Sequence, residues 1–174
     1  MKRLVTSIDP GVRKLGIAVF ADGLLYASAL IKAEGTDTGV SAWQRIADKA
    51  RTWRLDHHPP GYFPKDEALV SEYPQVYDAA HQKGGHVGQN DLIELTGVVG
   101  YLLGVIEGPG EKVTYLPRVW KGTMDKEAMQ ERILSRLSAD ERKNAVKQSD
   151  VIDAIGVGLF YLGRLQPKKV YAHE

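Results

Sequence analysis

Four acidic residues carry the clearest chemical signal in this chain: Asp9, Glu72, Asp150 and Asp153. Asp9 ends the run Leu4-Val5-Thr6-Ser7-Ile8, and Pro10-Gly11 then stops the strand and opens a turn. Glu72 ends a second apolar run, Leu69-Val70-Ser71. Asp150 and Asp153 are spaced i and i+3 at the start of a helical pattern, so they share one face about one turn apart, near the positive helix terminus. Taken singly, each acid reads as a turn residue, a cap or a solvated helix charge. Taken together they do not. A carboxylate in a central strand is costly unless paired, and the run Ala154 to Leu159 places the helix face of Asp153 near the core. Carboxylates that converge without bases repel one another and hold their protons more tightly. Two divalent cations resolve that conflict. Mg²⁺ or Mn²⁺ takes oxygen ligands, and a pair of such ions can activate water and stabilise the leaving oxygen of a phosphodiester. All four acids are therefore candidate catalytic and metal-binding residues.

The elements that must position them follow from periodicity and turn signals. Residues 3–9, 14–20 and 24–31 read as three strands, separated by Pro10-Gly11 and by Ala21-Asp22-Gly23, and the short second connection requires an antiparallel hairpin. Ser41 is expected to cap a helix over 42–55 with Trp43, Ile46, Ala47, Ala50 and Trp53 on one stripe. His57-His58-Pro59-Pro60-Gly61 breaks the chain before a strand from Ala68 to Tyr73. Asp91 is expected to cap a helix to Ile106, whose Gly97, Gly100 and Gly104 would be compensated by close packing. Val113 to Leu116 gives a fifth strand, 118–124 a loop, and 125–137 a helix. Ser138 and Glu141 have capping-box spacing. Ser149 is expected to cap the last helix, which runs to about Leu165. The reading is an α/β fold with a five-stranded mixed sheet, three antiparallel strands then two parallel, flanked by helices. One domain is expected over 1–166, with a C-terminal tail at 167–174.

Bulk properties bound the possibilities. A chain of 174 residues with 43% hydrophobic content can bury a full core. The net charge of +1 neither requires nor excludes nucleic acid, so any basic face must be created by folding. The absence of cysteine excludes disulfides, thiolate zinc sites and cysteine nucleophiles. The apolar stretch Leu95 to Ile106 is too short to span a bilayer, and the N-terminal residues lack a secretory apolar core. A cytoplasmic protein without membrane contact is expected.

The segment Ile8-Asp9-Pro10-Gly11-x-Arg13-Lys14-x-Gly16-Ile17-x-Val19 resembles the first motif of the RuvC-type Holliday junction resolvases, within the ribonuclease H-like superfamily. Leu69-Val70-Ser71-Glu72 resembles their second acidic strand, and Gln148-Ser149-Asp150-Val151-Ile152-Asp153-Ala154-Ile155-Gly156-Val157-Gly158 their terminal helix. The resemblance covers residue 3 to about 165. It implies a homodimeric, Mg²⁺-dependent endonuclease with two ions per site, Mn²⁺ substituting, that makes paired nicks across four-way DNA junctions in recombination and repair. It assigns metal binding and catalysis to Asp9, Glu72, Asp150 and Asp153. It also points to the segment Pro117 to Gly122, where the family uses a lysine against DNA, and to Lys126. The candidate DNA-binding residues are Arg13, Lys14, Tyr73, Tyr77, Arg118, Lys121 and Lys126. The family often has an aromatic three residues after the second acid, and Gln75 stands there, flanked by Tyr73 and Tyr77, either of which could stack on bases. This shift and the glycine-rich segment His81 to Asn90 read as the marks of a divergent, phage-borne member.

His57-His58 and His81/His86 lack ligand spacing and read as loop histidines. Trp43, Trp53 and Trp120 are core candidates, and Trp120, between Arg118 and Lys121, is also a candidate DNA contact. Competing functions are a broader flap or fork nuclease, a YqgF-like RNA-processing nuclease on the same fold, and an inactive nucleic-acid-binding module. An actin-like ATPase would need two such lobes.

Overall fold

The computed structural model describes residues 3–35, 39–74 and 89–166. Three strands open the chain, β1 (Leu4–Asp9), β2 (Lys14–Ala21) and β3 (Leu24–Lys32). The turn between β2 and β3 uses Asp22 and Gly23, both with positive φ (49° and 83°), as a tight hairpin requires. Helix α1 (Gly39–Asp56) and a 3-10 turn (Pro64–Asp66) lead to β4 (Glu67–Glu72). Helix α2 (Gln89–Val105) then leads to β5 (Glu111–Tyr115). Four helices complete the fold: α3 (Pro117–Trp120), α4 (Lys126–Ser135), α5 (Ala139–Asn144) and α6 (Ser149–Tyr161).

The strands form one sheet in the order β3-β2-β1-β4-β5. β1 pairs antiparallel with β2, and β2 with β3, whereas β4 lies parallel to β1 and β5 parallel to β4. The mixed sheet expected from the sequence is the one observed. Both faces are covered, which is why β1, β2 and β4 are apolar almost throughout. Ile8, Leu15, Ile17 and Leu69 pack on one face with Ile46, Ala47 and Ala50 of α1 and Val98 and Leu102 of α2. Val5, Ala18, Phe20 and Val70 pack on the other with Val151, Ile155, Val157 and Leu159 of α6 and Met129 and Ile133 of α4.

Several boundaries differ from the sequence reading. α1 begins at Gly39 and α2 at Gln89, so Ser41 and Asp91 lie inside first turns and not at caps. Gln148 takes the extended N-cap conformation of α6 and Ser149 is its first residue, while the helix stops at Tyr161. Residues 117–120, expected in a loop, form α3, because Pro117 at the first position presets the helical turn. The Ser138/Glu141 capping box is present on α5. Among the described residues, Gly97 of α2 meets a close neighbour, the ring of Trp43, and Gly100 and Gly104 meet none. Their expected packing role is therefore confined to Gly97. Among the described residues, no helix is long and apolar enough to cross a membrane. Gln75, Tyr77, His81, His86 and the tail at 167–174 lie outside the described residues.

Candidate active site

Parallel pairing of β1 and β4 sets the first half of the site. Ile8 lies opposite Ser71, so the next residues, Asp9 and Glu72, end neighbouring strands at the same edge of the sheet. Strand alternation places Asp9 on the face of Val5 and Ser7, and Glu72 on the face of Ala68 and Val70. That is the face covered by α6. Ser7 fixes the helix there, donating its hydroxyl to the Ala154 carbonyl at 2.7 Å. Asp9 pairs with Gly16 across β1 and β2. Gly16 in turn lies so close to the first turn of α6 that a Cβ on it would sit 2.0 Å from the Asp150 carbonyl oxygen. The bare backbone of Gly16 thus brings Asp150, and Asp153 one turn later, beside the strand acids.

Two lysines answer part of this negative charge. Lys121 Nζ donates to Glu72 Oε2 at 3.0 Å and to Asp153 Oδ2 at 3.1 Å. Its ammonium also lies 4.6 Å from the ring centroid of Trp120. Trp120, fully buried, donates Nε1–H to the same Glu72 oxygen at 3.0 Å. Lys14, at the start of β2, pairs with Asp150 Oδ2 at 2.7 Å.

The electrostatics follow from this crowding. Desolvation, then the charge of Glu72, pushes the pKa of Asp9 well above the ordinary carboxylate value; Asp153 and Asp150 add to the rise and Lys121 offsets part of it. Burial also raises Glu72, against the opposing pull of Lys121 and the Trp120 hydrogen bond. Burial works against the charge of Lys121, yet Glu72, Asp153 and Asp9 outweigh it and hold the ammonium protonated. The hydrogen bond to Asp150 raises Lys14 in the same way.

Among the described residues, no three acidic or histidine side chains stand as a ready-made metal cage. The ammonium of Lys121 occupies the space between Glu72 and Asp153, and Lys14 holds Asp150. The donor set nonetheless fits a hard divalent cation: its ligand atoms are carboxylate oxygens, and two ammonium groups do not neutralise four acids. Burial first, and then the mutual repulsion of the acids, raise the pKa values of Asp9 and Glu72, and a bound cation would oppose both effects.

The other expected site residues are more dispersed. Arg13 is exposed and donates Nη2 to the Gly35 carbonyl at 2.8 Å. Arg118 on α3 and Lys126 at the start of α4 are exposed. Tyr73 is also exposed, its backbone N–H bonded to the Tyr115 carbonyl at 2.8 Å. Lys121, a candidate DNA contact, reaches into the carboxylates. Trp120 is a core residue and has no surface to offer DNA. Sequence reasoning missed the bonds from Trp120 and Lys121 to Glu72 and from Lys14 to Asp150. Their only signal was position, since Lys14 follows the first acid by five residues and Trp120-Lys121 follows the fifth strand.

The chain is similar over 95% of its length to T. thermophilus RuvC in complex with a Holliday junction substrate, at a TM-score of 0.63 and 23% identity, with 99% of that chain covered. A second Thermus thermophilus RuvC structure matches with a TM-score of 0.57 and 18% identity, again covering 95% of this chain and 99% of that one. No family model and no curated protein sequence matches the chain. The fold is RuvC-like, the five-stranded ribonuclease H-like arrangement.

Proposed function

We propose that this RuvC-like fold works as a divalent-metal-dependent endonuclease that resolves four-way DNA junctions by paired phosphodiester hydrolysis. One observation carries the reading: β1, β4 and α6 bring Asp9, Glu72, Asp150 and Asp153 to one edge of the sheet with more negative charge than their lysines neutralise. Asp9 and Glu72 on the strands and Asp150 and Asp153 on the helix are the residues that would hold the ions. Two bound Mg²⁺ ions, or Mn²⁺ in their place, would supply activation of water and stabilisation of the leaving oxygen.

The remaining roles belong to the chain itself. Lys121 and Lys14 supply countercharge to Glu72, Asp153 and Asp150, and with metal bound there these ammonium groups would be available to the phosphate backbone. Arg118, Lys126 and Arg13 extend the basic edge, and Tyr73 offers a face for a splayed base. Paired nicks on a two-fold-symmetric junction call for a homodimer. The likeness to a RuvC bound to a junction favours that substrate over flaps, forks or RNA.

The test is cleavage of a synthetic four-way junction with Mg²⁺, beside Asp150→Asn and beside flap, fork, duplex and RNA substrates. Wild type is expected to nick the junction in pairs, and Asp150→Asn to bind it without nicking. Wild-type-like cleavage by the variant would remove Asp150 from the site, and preferential cleavage of RNA would replace the reading with RNA processing.

A further inference from the structure

We infer that Trp120 is a positioning residue, whose indole N–H and ring together fix the Glu72 carboxylate relative to the helix that carries Asp150 and Asp153. The inference rests on the metal-nuclease reading and adds a residue that reading does not require.

Three contacts converge on this one side chain. Nε1–H donates to Glu72 Oε2 at 3.0 Å, linking Trp120 to the end of β4. The far edge of the ring lies against Gly156, where a Cβ would come within 2.6 Å of Trp120 Cζ3 and 3.0 Å of Cη2. Gly156 is one turn beyond Asp153 on the same helix. The ring also carries the Lys121 ammonium, 4.6 Å from its centroid, which bridges Glu72 Oε2 and Asp153 Oδ2.

The geometry has a chemical consequence. Glu72 is the last residue of a strand, and a glutamate has three side-chain torsions to set, so its carboxylate is the least constrained of the four by the backbone alone. Trp120 and Lys121 both bond Oε2. The Lys121 ammonium stands on a flexible four-carbon stem and is 24% exposed, so a cation could displace it. The indole is fully buried with its ring packed against Gly156, so its bond would stay and keep the carboxylate oriented. Hydrogen-bond partners of metal-ligating carboxylates typically change metal affinity or activity by about 10–100-fold when removed. Trp120 meets that description through its N–H, and through its ring sets the spacing between β4 and α6.

Two variants separate the N–H from the ring. Trp120→Phe keeps an aromatic ring without the donor. Incorporation of benzothienylalanine at position 120 keeps the bicyclic shape, with sulfur in place of the N–H. The probes are calorimetric titration with Mn²⁺ alone and the Mg²⁺ dependence of junction cleavage, with Trp53→Phe as a control away from the acids. We expect both variants at position 120 to melt cooperatively, to bind Mn²⁺ about tenfold more weakly or worse, and to need correspondingly more Mg²⁺ for half-maximal cleavage. The control should match wild type in each measurement. Wild-type Mn²⁺ affinity and Mg²⁺ dependence in the benzothienylalanine protein would overturn the inference, whatever happens to Trp120→Phe. Absence of Mn²⁺ binding by wild type would overturn it together with the metal site. If wild type binds Mn²⁺ but cuts no junction, the nuclease reading fails, and the difference in Mn²⁺ affinity still decides the role of Trp120.

Discussion

Gly16 and Asp150 meet backbone to backbone: a Cβ placed on Gly16 would lie 2.0 Å from the Asp150 carbonyl oxygen and 2.8 Å from the Val151 nitrogen. No side-chain rearrangement relieves such an overlap, because the obstructing atoms are the first turn of α6 itself. Gly16→Ala is therefore expected to push the helix start away from β2. The cost should be of the order of 1–3 kcal/mol of stability, as for overpacking elsewhere. Junction cleavage should fall further than the lost stability accounts for, since Asp150 and Asp153 move with the helix. Thermal unfolding and cleavage by the same preparation check this; wild-type cleavage by a folded variant would show that α6 does not depend on the contact.

Lys121 is expected to stabilise the metal-free protein. Folded Asp9 and Glu72 hold protons more tightly than they do unfolded, so stability declines as pH rises above the ordinary carboxylate range. Lys121 reduces that decline, and its own raised pKa keeps its contribution fully present at neutral pH. Lys121→Ala in EDTA should therefore lose stability more steeply than wild type between pH 5 and 8. Added Mg²⁺ should narrow the difference. Urea midpoints across that range test both statements, and parallel slopes for the two proteins would contradict the first.

Far from the acids, Arg54 of α1 and Glu67 at the start of β4 form a buried ion pair, their side chains 2% and 0% exposed. Arg54 Nε donates to Glu67 Oε1 at 2.8 Å, Nη2 bonds Oε2, and Nη1 donates to the Glu107 carbonyl at 3.3 Å. Glu67→Ala leaves the guanidinium buried and unpaired, and should cost about 3–5 kcal/mol. The paired replacement Arg54→Met with Glu67→Leu should recover much of that loss. Denaturant unfolding of the three proteins is the measurement.

Acid stability should depend on Glu141. Burial opposes its ionisation, but bonds from Arg164 and from the backbone N–H groups of Leu25 and Ser138 prevail and hold its pKa at about 2. A depressed carboxylate contributes stability that is complete above its unfolded value, near 4.5, and is lost as pH falls toward 2. The contribution is of the order of 3 kcal/mol. Arg164→Met should be less stable than wild type at pH 7, and the gap should close as pH falls below about 4. A gap that persists at pH 2 would assign the effect to packing.

Much of the fold was legible because it rests on short-range signals. Pro10-Gly11 and Asp22-Gly23 delimit the first three strands, and the alternation of apolar runs with helical stripes leaves few alternatives to a mixed sheet. The four acids were legible because their strand-end and i, i+3 positions are local properties as well. Their countercharges were not. Lys121 reaches Glu72 across 49 positions and Asp153 across 32, and Lys14 reaches Asp150 across 136, so only packing reveals which oxygen each ammonium meets. Trp120 was ambiguous for a related reason. Between two basic residues it reads as exposed, yet the single turn of α3 directs it inward while Arg118 stays in solvent.

The placement of α6 has a consequence for the order of events during synthesis. The strand acids are made early, but Asp150 and Asp153 arrive only with the helix that also supplies Val151, Ile155, Val157 and Leu159 to one side of the sheet. A nascent chain halted before Ser149 has neither a closed hydrophobic interior nor a complete set of acids. On the proposed reading, a ribosome-bound fragment is therefore harmless to the genome, and cutting competence is gained in the same step that finishes the core.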